Sequence, residues 1–177
     1  TLTADRTWIL DGVVLVKSGA VLTVAPGTIV KAKIGTKAAL VIDKGSKLVA
    51  DGTVTKPIVF TSGKDAGSRT PGDWGGIILV GKAPTNRTTP VQVEGGVNLT
   101  YGTDNVPADN SGILRYVRIE YAGIGVNDSE INALTFYAVG SGTIIENVQT
   151  VYANDDAFEF FGGTVNCKNL IAYATAD

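Results

Sequence analysis

The 177-residue sequence contains no histidine and only one cysteine. Without histidine there is no Ser–His–Asp triad and no imidazole ligand for a transition metal, so any catalysis would depend on carboxylate, lysine, arginine or tyrosine side chains. A single cysteine excludes an intrachain disulfide. Cys167 stands in an alternating segment, which predicts a small apolar side chain that points into a core rather than a reactive thiol.

Long runs of charged or apolar residues are also missing. The 15 Lys and Arg nearly balance the 17 Asp and Glu, and no basic cluster is present, which argues against nucleic acid as a partner. The longest uncharged stretch, residues 131–145, contains two glycines and is shorter than the ~20 apolar residues that span a bilayer. We expect no membrane insertion of this segment. Because the chain opens with neither Met nor a basic segment, we expect a mature protein or a piece of one.

Helical periodicity is absent as well, whereas features of short strands are abundant. Val, Ile and Thr together make up nearly a third of the chain, and 22 residues are glycine. This composition favours strands and tight turns. Apolar and polar residues alternate over short stretches that end at Gly, Asn, Asp or Pro. The sequence therefore predicts an all-β protein.

The strand-like stretches recur along the chain. Residues 15–28 resemble residues 41–53 at a spacing of 26, and three later segments end alike, at Tyr121, Tyr152 and Tyr173. Short strands that repeat at such intervals stack on their equivalents in parallel, whereas a hairpin sheet would pair neighbours in sequence. We therefore predict a parallel β-helix, a solenoid of roughly six coils with one repeat per coil.

Alternation assigns the side chains of these strands to the core or to the surface. Residues two apart in a strand share a face, so three side chains of one coil should stack on three of the next. The predicted inward pairs are Val117 with Val148, Ile119 with Thr150, and Tyr121 with Tyr152. Arg118 and Glu120 would then face out. Asparagines near the predicted bends should form a ladder between coils; they are Asn147, Asn166 and Asn169.

Two segments interrupt the repeats. Residues 64–73 form a polar stretch, and residues 82–111 hold three of the six prolines. Connections of the second length are usually functional or disordered. We predict that residues 82–111 are a lateral loop excursion with one short strand at 91–93. The loop would belong to a single β-helix domain that covers residues 1–177 and is part of a longer chain.

Three motifs carry a resemblance to known proteins. Residues 71–77 (PGDWGGI), 109–123 (DNSGILRYVRIEYAG) and 154–166 (NDDAFEFFGGTVN) resemble secreted right-handed parallel β-helix surface proteins and lipoproteins of Bacteroidetes type. The fold of those proteins is similar to that of the pectate-lyase-like superfamily. The resemblance implies a right-handed coil and an extracellular or cell-surface location. It implies no particular catalytic residue.

Residues 154–163 contain the highest concentration of side chains that could take part in catalysis or metal binding. In an extended segment, Phe158 and Phe160 would share the core face, which leaves Asp155 and Glu159 on the outside. Two such carboxylates suit a metal ion or the two sides of a glycosidic bond. The sequence Asn-Asp-Asp is equally typical of a turn whose side chains bond nearby backbone amides. We favour the turn, and keep the other two interpretations open.

A polysaccharide lyase with this fold would need Ca²⁺ on carboxylates to neutralise a uronate, and a basic side chain. Asp155, Glu159 and Asp177 would be the metal ligands, provided that stacking brings them together. Lys168 or Arg118 would be the basic group. These residues are therefore the candidates for a catalytic or Ca²⁺ site.

Two aromatic residues are candidates for carbohydrate binding. Trp74 and Tyr101 would each offer a ring as a platform for a sugar. Trp74 precedes an apolar strand, so we favour a different role, in which its indole anchors a loop on the core.

Two functions follow from these features. The first hypothesis is an extracellular or cell-surface structural or adhesion module without cofactor or enzymatic activity. Because solenoid ends expose strand edges and core, this module would meet other domains or subunits through its ends. The alternative is a carbohydrate-active or carbohydrate-binding β-helix that uses an acidic, Ca²⁺-dependent site. In that case the partner is a polysaccharide and the enzyme a polysaccharide lyase or a glycoside hydrolase.

Overall fold

The computed structural model describes residues 1–17, 19–126 and 129–176, and in these residues the chain forms strands and no helix. No part of the described chain is therefore a long apolar helix that could cross a membrane. The strands, in chain order, are β1 Thr7–Leu10, β2 Val13–Val16, β3 Val21–Val24, β4 Ile29–Ala32, β5 Ala39–Ile42, β6 Lys47–Asp51, β7 Ile58–Ser62, β8 Gly76–Val80, β9 Val91–Gln92, β10 Thr100–Tyr101, β11 Gly112–Glu120, β12 Gly125–Val126, β13 Ser129–Glu130, β14 Leu134–Tyr137, β15 Ile144–Val151, β16 Phe158–Phe161 and β17 Asn166–Tyr173.

The strands build three lateral faces of a solenoid. Face 1 contains β3, β6 and the first halves of β11, β15 and β17, and face 2 contains β1, β4, β7 and the second halves of the same three strands. Face 3 is a separate five-stranded sheet in the order β2, β5, β8, β14, β16. Neighbouring coils pair in parallel on every face. The fold is the predicted right-handed parallel β-helix, and face 2 counts six coils in the described chain: β1, β4, β7, β11, β15 and β17.

The core lies inside the coil and is built from side-chain rows that run along the solenoid axis. One row on face 3 consists of Val16, Ile42, Leu79, Phe136 and Phe160. The three middle members are fully buried, whereas Phe160 in the last strand of the face is 47% exposed. Burial of each such side chain contributes about 1.5–3 kcal/mol, so each added coil stabilises the preceding one.

The predicted stacking on face 2 is confirmed for two of the three pairs. Val117 pairs with Val148 and Ile119 with Thr150, and all four side chains are buried.

The inward orientation predicted for the tyrosines is wrong. Tyr121 and Tyr152 lie at the corner after face 2 with φ of 59° and 56°, and this left-handed conformation ends the alternation of the strand. Their rings stack on each other outside the core, with centroids 5.3 Å apart. Tyr173 pairs with Val151 rather than with Tyr152, one residue out of register, and its ring meets Tyr152 edge to face.

The lateral loop packs against the outer side of face 3. Its predicted strand is confirmed as β9, which pairs in antiparallel fashion with β10. The outer side of face 3 and the loop together bury a second apolar cluster, separate from the core inside the coil. From face 3 the cluster includes Val41, Ile78, Val80 and Tyr137, and from the loop Val93, Val97 and Tyr101.

Candidate functional site

The candidate catalytic residues lie on different faces of the solenoid. Glu159 belongs to β16 on face 3, and Asp155 lies in the segment before that strand. Arg118 lies on face 2, where its Nε forms an ion pair with Glu120 Oε1 at 2.9 Å, and Lys168 lies on face 1 with its Nζ 3.8 Å from Glu146. The predicted lyase site requires a basic side chain close to the carboxylates of Asp155 and Glu159. The structure places neither Arg118 nor Lys168 there. The third predicted metal ligand, Asp177, lies outside the described residues.

Glu159 occupies a half-buried position on the outer side of face 3. In register, it lies beside Thr135 of β14, and Asn132 Nδ2 donates a hydrogen bond to its carboxylate. Burial raises the pKa of Glu159 to about 7, and the negative charges of Glu94, Asp156 and Asp155 act in the same direction. Glu159 is therefore a carboxyl group that holds a proton near neutral pH.

Glu94 comes from the lateral loop and reaches the same region through Tyr137. The Tyr137 hydroxyl donates to Glu94 Oε2 at 3.2 Å, and the backbone N–H of Glu94 donates to that hydroxyl at 3.3 Å. Burial, with the nearby charge of Glu94, raises the pKa of the Tyr137 hydroxyl, which therefore remains a neutral hydrogen-bond donor. Tyr137 thus ties the loop to face 3 directly beside the carboxylates.

Thr135 completes this group of residues. Its neighbours Leu134 and Phe136 point into the core, so by alternation Thr135 points to the outer side of face 3, as Tyr137 does. Thr135 is 1% exposed, and its Oγ1 has no hydrogen-bond partner. We call Glu94, Asn132, Thr135, Tyr137 and Glu159 the acidic cluster.

Of the acidic cluster, the sequence predicts only Glu159 as a site residue. Glu94 is 65 residues away and carries no motif, because its place depends on how the lateral loop folds back. The positions of Thr135 and Tyr137, in contrast, could have been predicted from the alternation of the strand. Once residues 134–137 are placed in a strand parallel to 158–161, alternation puts both beside Glu159.

The two aromatic residues predicted as sugar platforms are both buried. Trp74 is 0% exposed and donates from Nε1 to the carbonyl of Glu120 at 2.8 Å, in agreement with the alternative role as a loop anchor. Tyr101 is 3% exposed and packs on Tyr137 at a centroid distance of 4.8 Å. Both rings are therefore almost completely inaccessible to solvent.

A different aromatic cleft opens at the corner after face 2. It has a volume of about 340 Å³ and is lined by Gly67, Arg69, Pro71, Tyr121 and Tyr152. Arg69 is fixed in place, since Nε donates to the carbonyl of Lys64 at 3.2 Å and Nη1 to Thr61 Oγ1 at 3.3 Å. We call this space the tyrosine cleft.

The sequence as a whole matches one family, described as pectate-lyase like beta helix domain, over residues 1–177. The chain belongs to this family. Searches of curated proteins and of solved structures found no match. Membership in the pectate-lyase like beta helix family agrees with the three-faced coil, and fits a carbohydrate-active or a structural role.

In this pectate-lyase like beta helix protein, the described residues contain no cluster of three or more acidic, cysteine or histidine side chains that could hold a metal by themselves. The thiol of Cys167 is also poorly suited to chemistry. It packs against the core in the last coil, and burial raises its pKa to about 11. A protonated thiol is a weak nucleophile and a weak metal ligand.

Proposed function

We propose that the chain is a structural module of an extracellular or cell-surface assembly, in which the solenoid is extended through its ends. The observation that carries this proposal is the exposed core row at the last coil. Phe160 stacks on the fully buried Phe136 at 4.5 Å but remains 47% exposed on its other side. A large aromatic side chain left half-exposed at the end of a core row favours contact with a further layer of side chains, which a longer form of this chain or another copy would supply.

Two core rows support a head-to-tail contact between copies. The row on face 2 begins with Trp8 and ends with the small Ala172, and the row on face 3 begins with Val16 and ends with Phe160. If the first coil of one copy lies on the last coil of another, a large side chain meets a small one in both rows. Such a heterologous contact does not close on itself and produces linear assemblies.

Light scattering over a concentration series tests this assembly. We expect the mean mass of the chain to rise with concentration, and Phe160→Lys to hold it at the mass of one copy. Val54→Lys is the matched control, because Val54 is 77% exposed but lies beside β6 and β7, away from both ends. It should assemble like the unmodified protein. The mass of a single copy at every concentration would contradict the proposal.

The proposed location is outside the cell, on the support of the three motifs that resemble secreted surface proteins. Protease treatment of intact cells tests it. A surface module should be cleaved in intact cells, whereas an internal one should be cleaved only after lysis.

The tyrosine cleft favours carbohydrate binding as a second candidate function. Its phenol hydroxyls and the fixed Arg69 guanidinium offer hydrogen bonds to sugar hydroxyls, and Tyr152 is 38% exposed. The stacked rings of Tyr121 and Tyr152 cover part of each other, so their edges and hydroxyls would make the contact. This candidate requires binding only, with no bond cleavage.

Affinity electrophoresis in gels that contain individual polysaccharides tests the second candidate. We expect one polysaccharide to retard the protein, Tyr152→Phe to weaken the retardation, and Tyr116→Phe, at a corner outside the cleft, to leave it unchanged. Equal mobility in every gel would contradict carbohydrate binding without affecting the structural proposal.

A further inference from the structure

Two carboxylates from different parts of the chain meet in the acidic cluster. Glu94 is carried by the lateral loop and Glu159 by β16, and Tyr137 lies next to both: it bonds Glu94 at 3.2 Å and is the diagonal neighbour of Glu159 on the outer side of face 3. The negative charge of Glu94 acts on Glu159. Like charges on the loop and on face 3 oppose the docking of the loop unless a positive charge or a proton compensates them.

A second, independent observation concerns the hydroxyl of Thr135. Thr135 Oγ1 is buried and has no hydrogen-bond partner, and its side chain lies directly beside Glu159. A buried hydroxyl without a partner costs about 1–3 kcal/mol, so such groups usually have a water, an ion or a ligand as partner. The unpaired oxygen thus belongs to a residue that lies beside Glu159, on the side of face 3 that the lateral loop covers.

We propose that the acidic cluster binds a divalent cation, with Ca²⁺ as the best match, and that this cation fastens the lateral loop to face 3. The two carboxylates of Glu94 and Glu159 and the hydroxyl of Thr135 are hard oxygen ligands, and water supplies the remainder. Ca²⁺ accepts six to eight such oxygens in irregular geometry, whereas Mg²⁺ demands an octahedron and Zn²⁺ prefers nitrogen and sulfur. Two carboxylates and a neutral oxygen suffice here, so no cluster of three acidic side chains is required.

The proposed site differs from the one that the sequence suggested. It retains Glu159, has Glu94 and Thr135 in place of the predicted ligands Asp155 and Asp177, and holds the loop rather than a uronate. It depends on neither proposed function, because a cation that fastens a loop is compatible with a structural module and with a carbohydrate-binding one.

Cation binding at this site should compete with protons. Glu159 is faced by Glu94 from the loop, by Tyr137 from β14, and by Asp155 and Asp156 from the segment before β16. Carboxylates bind a cation only in their deprotonated form, so protons and the cation compete for these side chains. We therefore expect tighter binding at pH 8 than at pH 6.

Terbium luminescence tests the site directly, since Tb³⁺ replaces Ca²⁺ and emits when a nearby tyrosine is excited. We expect saturable emission through Tyr137 that added Ca²⁺ abolishes. Glu159→Gln and Glu94→Gln should each weaken Tb³⁺ binding at least tenfold. Glu146→Gln, on face 1, should leave the affinity unchanged. Absence of saturable emission, or equal affinity for wild type and Glu159→Gln, would overturn the proposal.

The variant Thr135→Val distinguishes a ligand from an ordinary buried hydroxyl. Valine has the same shape and needs no partner, so the variant should be at least as stable as the wild type in EDTA. If the hydroxyl is a ligand, the variant should bind Ca²⁺ more weakly and gain less in melting temperature when Ca²⁺ is added. An unchanged Ca²⁺ response in the folded variant would overturn the role of Thr135, and with it the observation on which the site depends.

Discussion

Asn169 donates a hydrogen bond from its side-chain amide to Oδ1 of Asn147, 2.9 Å away in the preceding coil. Both residues lie at the corner between face 1 and face 2, in the gap of the strand register between β15 and β17, and both have a φ of 54°. Asparagine tolerates the left-handed conformation better than other residues with a β-carbon. Asparagine at this corner therefore has two roles: it adopts the left-handed backbone conformation, and its side chain forms a hydrogen bond to the neighbouring coil.

Substitutions at Asn147 should separate these two contributions. Asn147→Ala loses the hydrogen bond and keeps a β-carbon in the left-handed region, so we expect the free energy of unfolding to fall by about 1–3 kcal/mol. Asn147→Gly loses only the hydrogen bond and should lower it by about 1 kcal/mol. Urea unfolding followed by circular dichroism measures both. Equal losses in the two variants would show that the backbone conformation contributes nothing.

The first residue of β11 should tolerate no side chain. Gly112 has a φ of 120°, and a β-carbon there would overlap the carbonyl oxygen of Leu48 in the strand alongside. Because that oxygen belongs to the paired backbone of β6, it cannot move away. We expect Gly112→Ala to prevent folding, visible as loss of the strand signal in circular dichroism.

Gly67→Ala is the control for this effect. Gly67 also has a positive φ, 86°, but a β-carbon there would meet nothing within 4 Å. The substitution should cost about 1–2 kcal/mol, as expected for conformational strain alone. If both variants fold with similar stability, close backbone contact is not what requires Gly112.

The coil could be predicted from the sequence because its evidence is local. Alternation in 117–120 and its repeat in 148–151 fix which side chains are buried and which coils are neighbours. The exact register between neighbouring strands is harder to predict from residues that recur in the sequence. The three recurring tyrosines suggest a step of 21 from Tyr152 to Tyr173, whereas the pairing of Val148 with Leu170 requires 22. One residue suffices to bring Tyr173 out of line.

The acidic cluster could not be predicted in the same way, because its members meet through a loop without repeats. Nothing in the sequence near Glu94 indicates that the loop lies on face 3, since the apolar residues that hold it there alternate only briefly. The asparagine ladder was predicted in part for a related reason. Asn147 and Asn169 occupy the corner, but Asn166 opens β17 and donates to the carbonyl of Thr164 at 3.4 Å instead.

The charged row on face 1 should contribute a modest, salt-sensitive stabilisation. In-register positions carry Asp51, Arg115, Glu146 and Lys168, so the sign alternates from coil to coil. Arg115 bonds both neighbours, with Nη1 2.7 Å from Asp51 and Nε 3.2 Å from Glu146. Arg115→Met should lower the free energy of unfolding by about 1 kcal/mol at low ionic strength, and by less in 1 M NaCl.

A matched variant distinguishes the row from an isolated ion pair. Lys33 forms a single, exposed contact of 2.6 Å with Asp11. Lys33→Met should therefore change the stability by at most a few tenths of a kcal/mol at either ionic strength. An Arg115→Met effect that is equally small, or that persists in 1 M NaCl, would contradict a role for charge alternation.

The protonation of Glu159 should make the stability depend on pH in a defined window. Burial raises the folded-state pKa of Glu159 to about 7, whereas the unfolded chain has its ordinary value of 4.5. The folded protein therefore retains a proton that the unfolded chain releases, and the free energy of unfolding should fall as pH rises from about 4.5 to about 7. Because Glu159 is half-buried, screening by solvent reduces the effect to about 1 kcal/mol.

Glu159→Gln removes this titration. In EDTA, the free energy of unfolding of the variant should therefore rise relative to that of the wild type between pH 5 and pH 8. Urea midpoints at the two pH values measure the difference. A constant difference between variant and wild type would mean that the carboxyl group titrates normally, and that the negative charges around it do not meet in solution as they do in the structure.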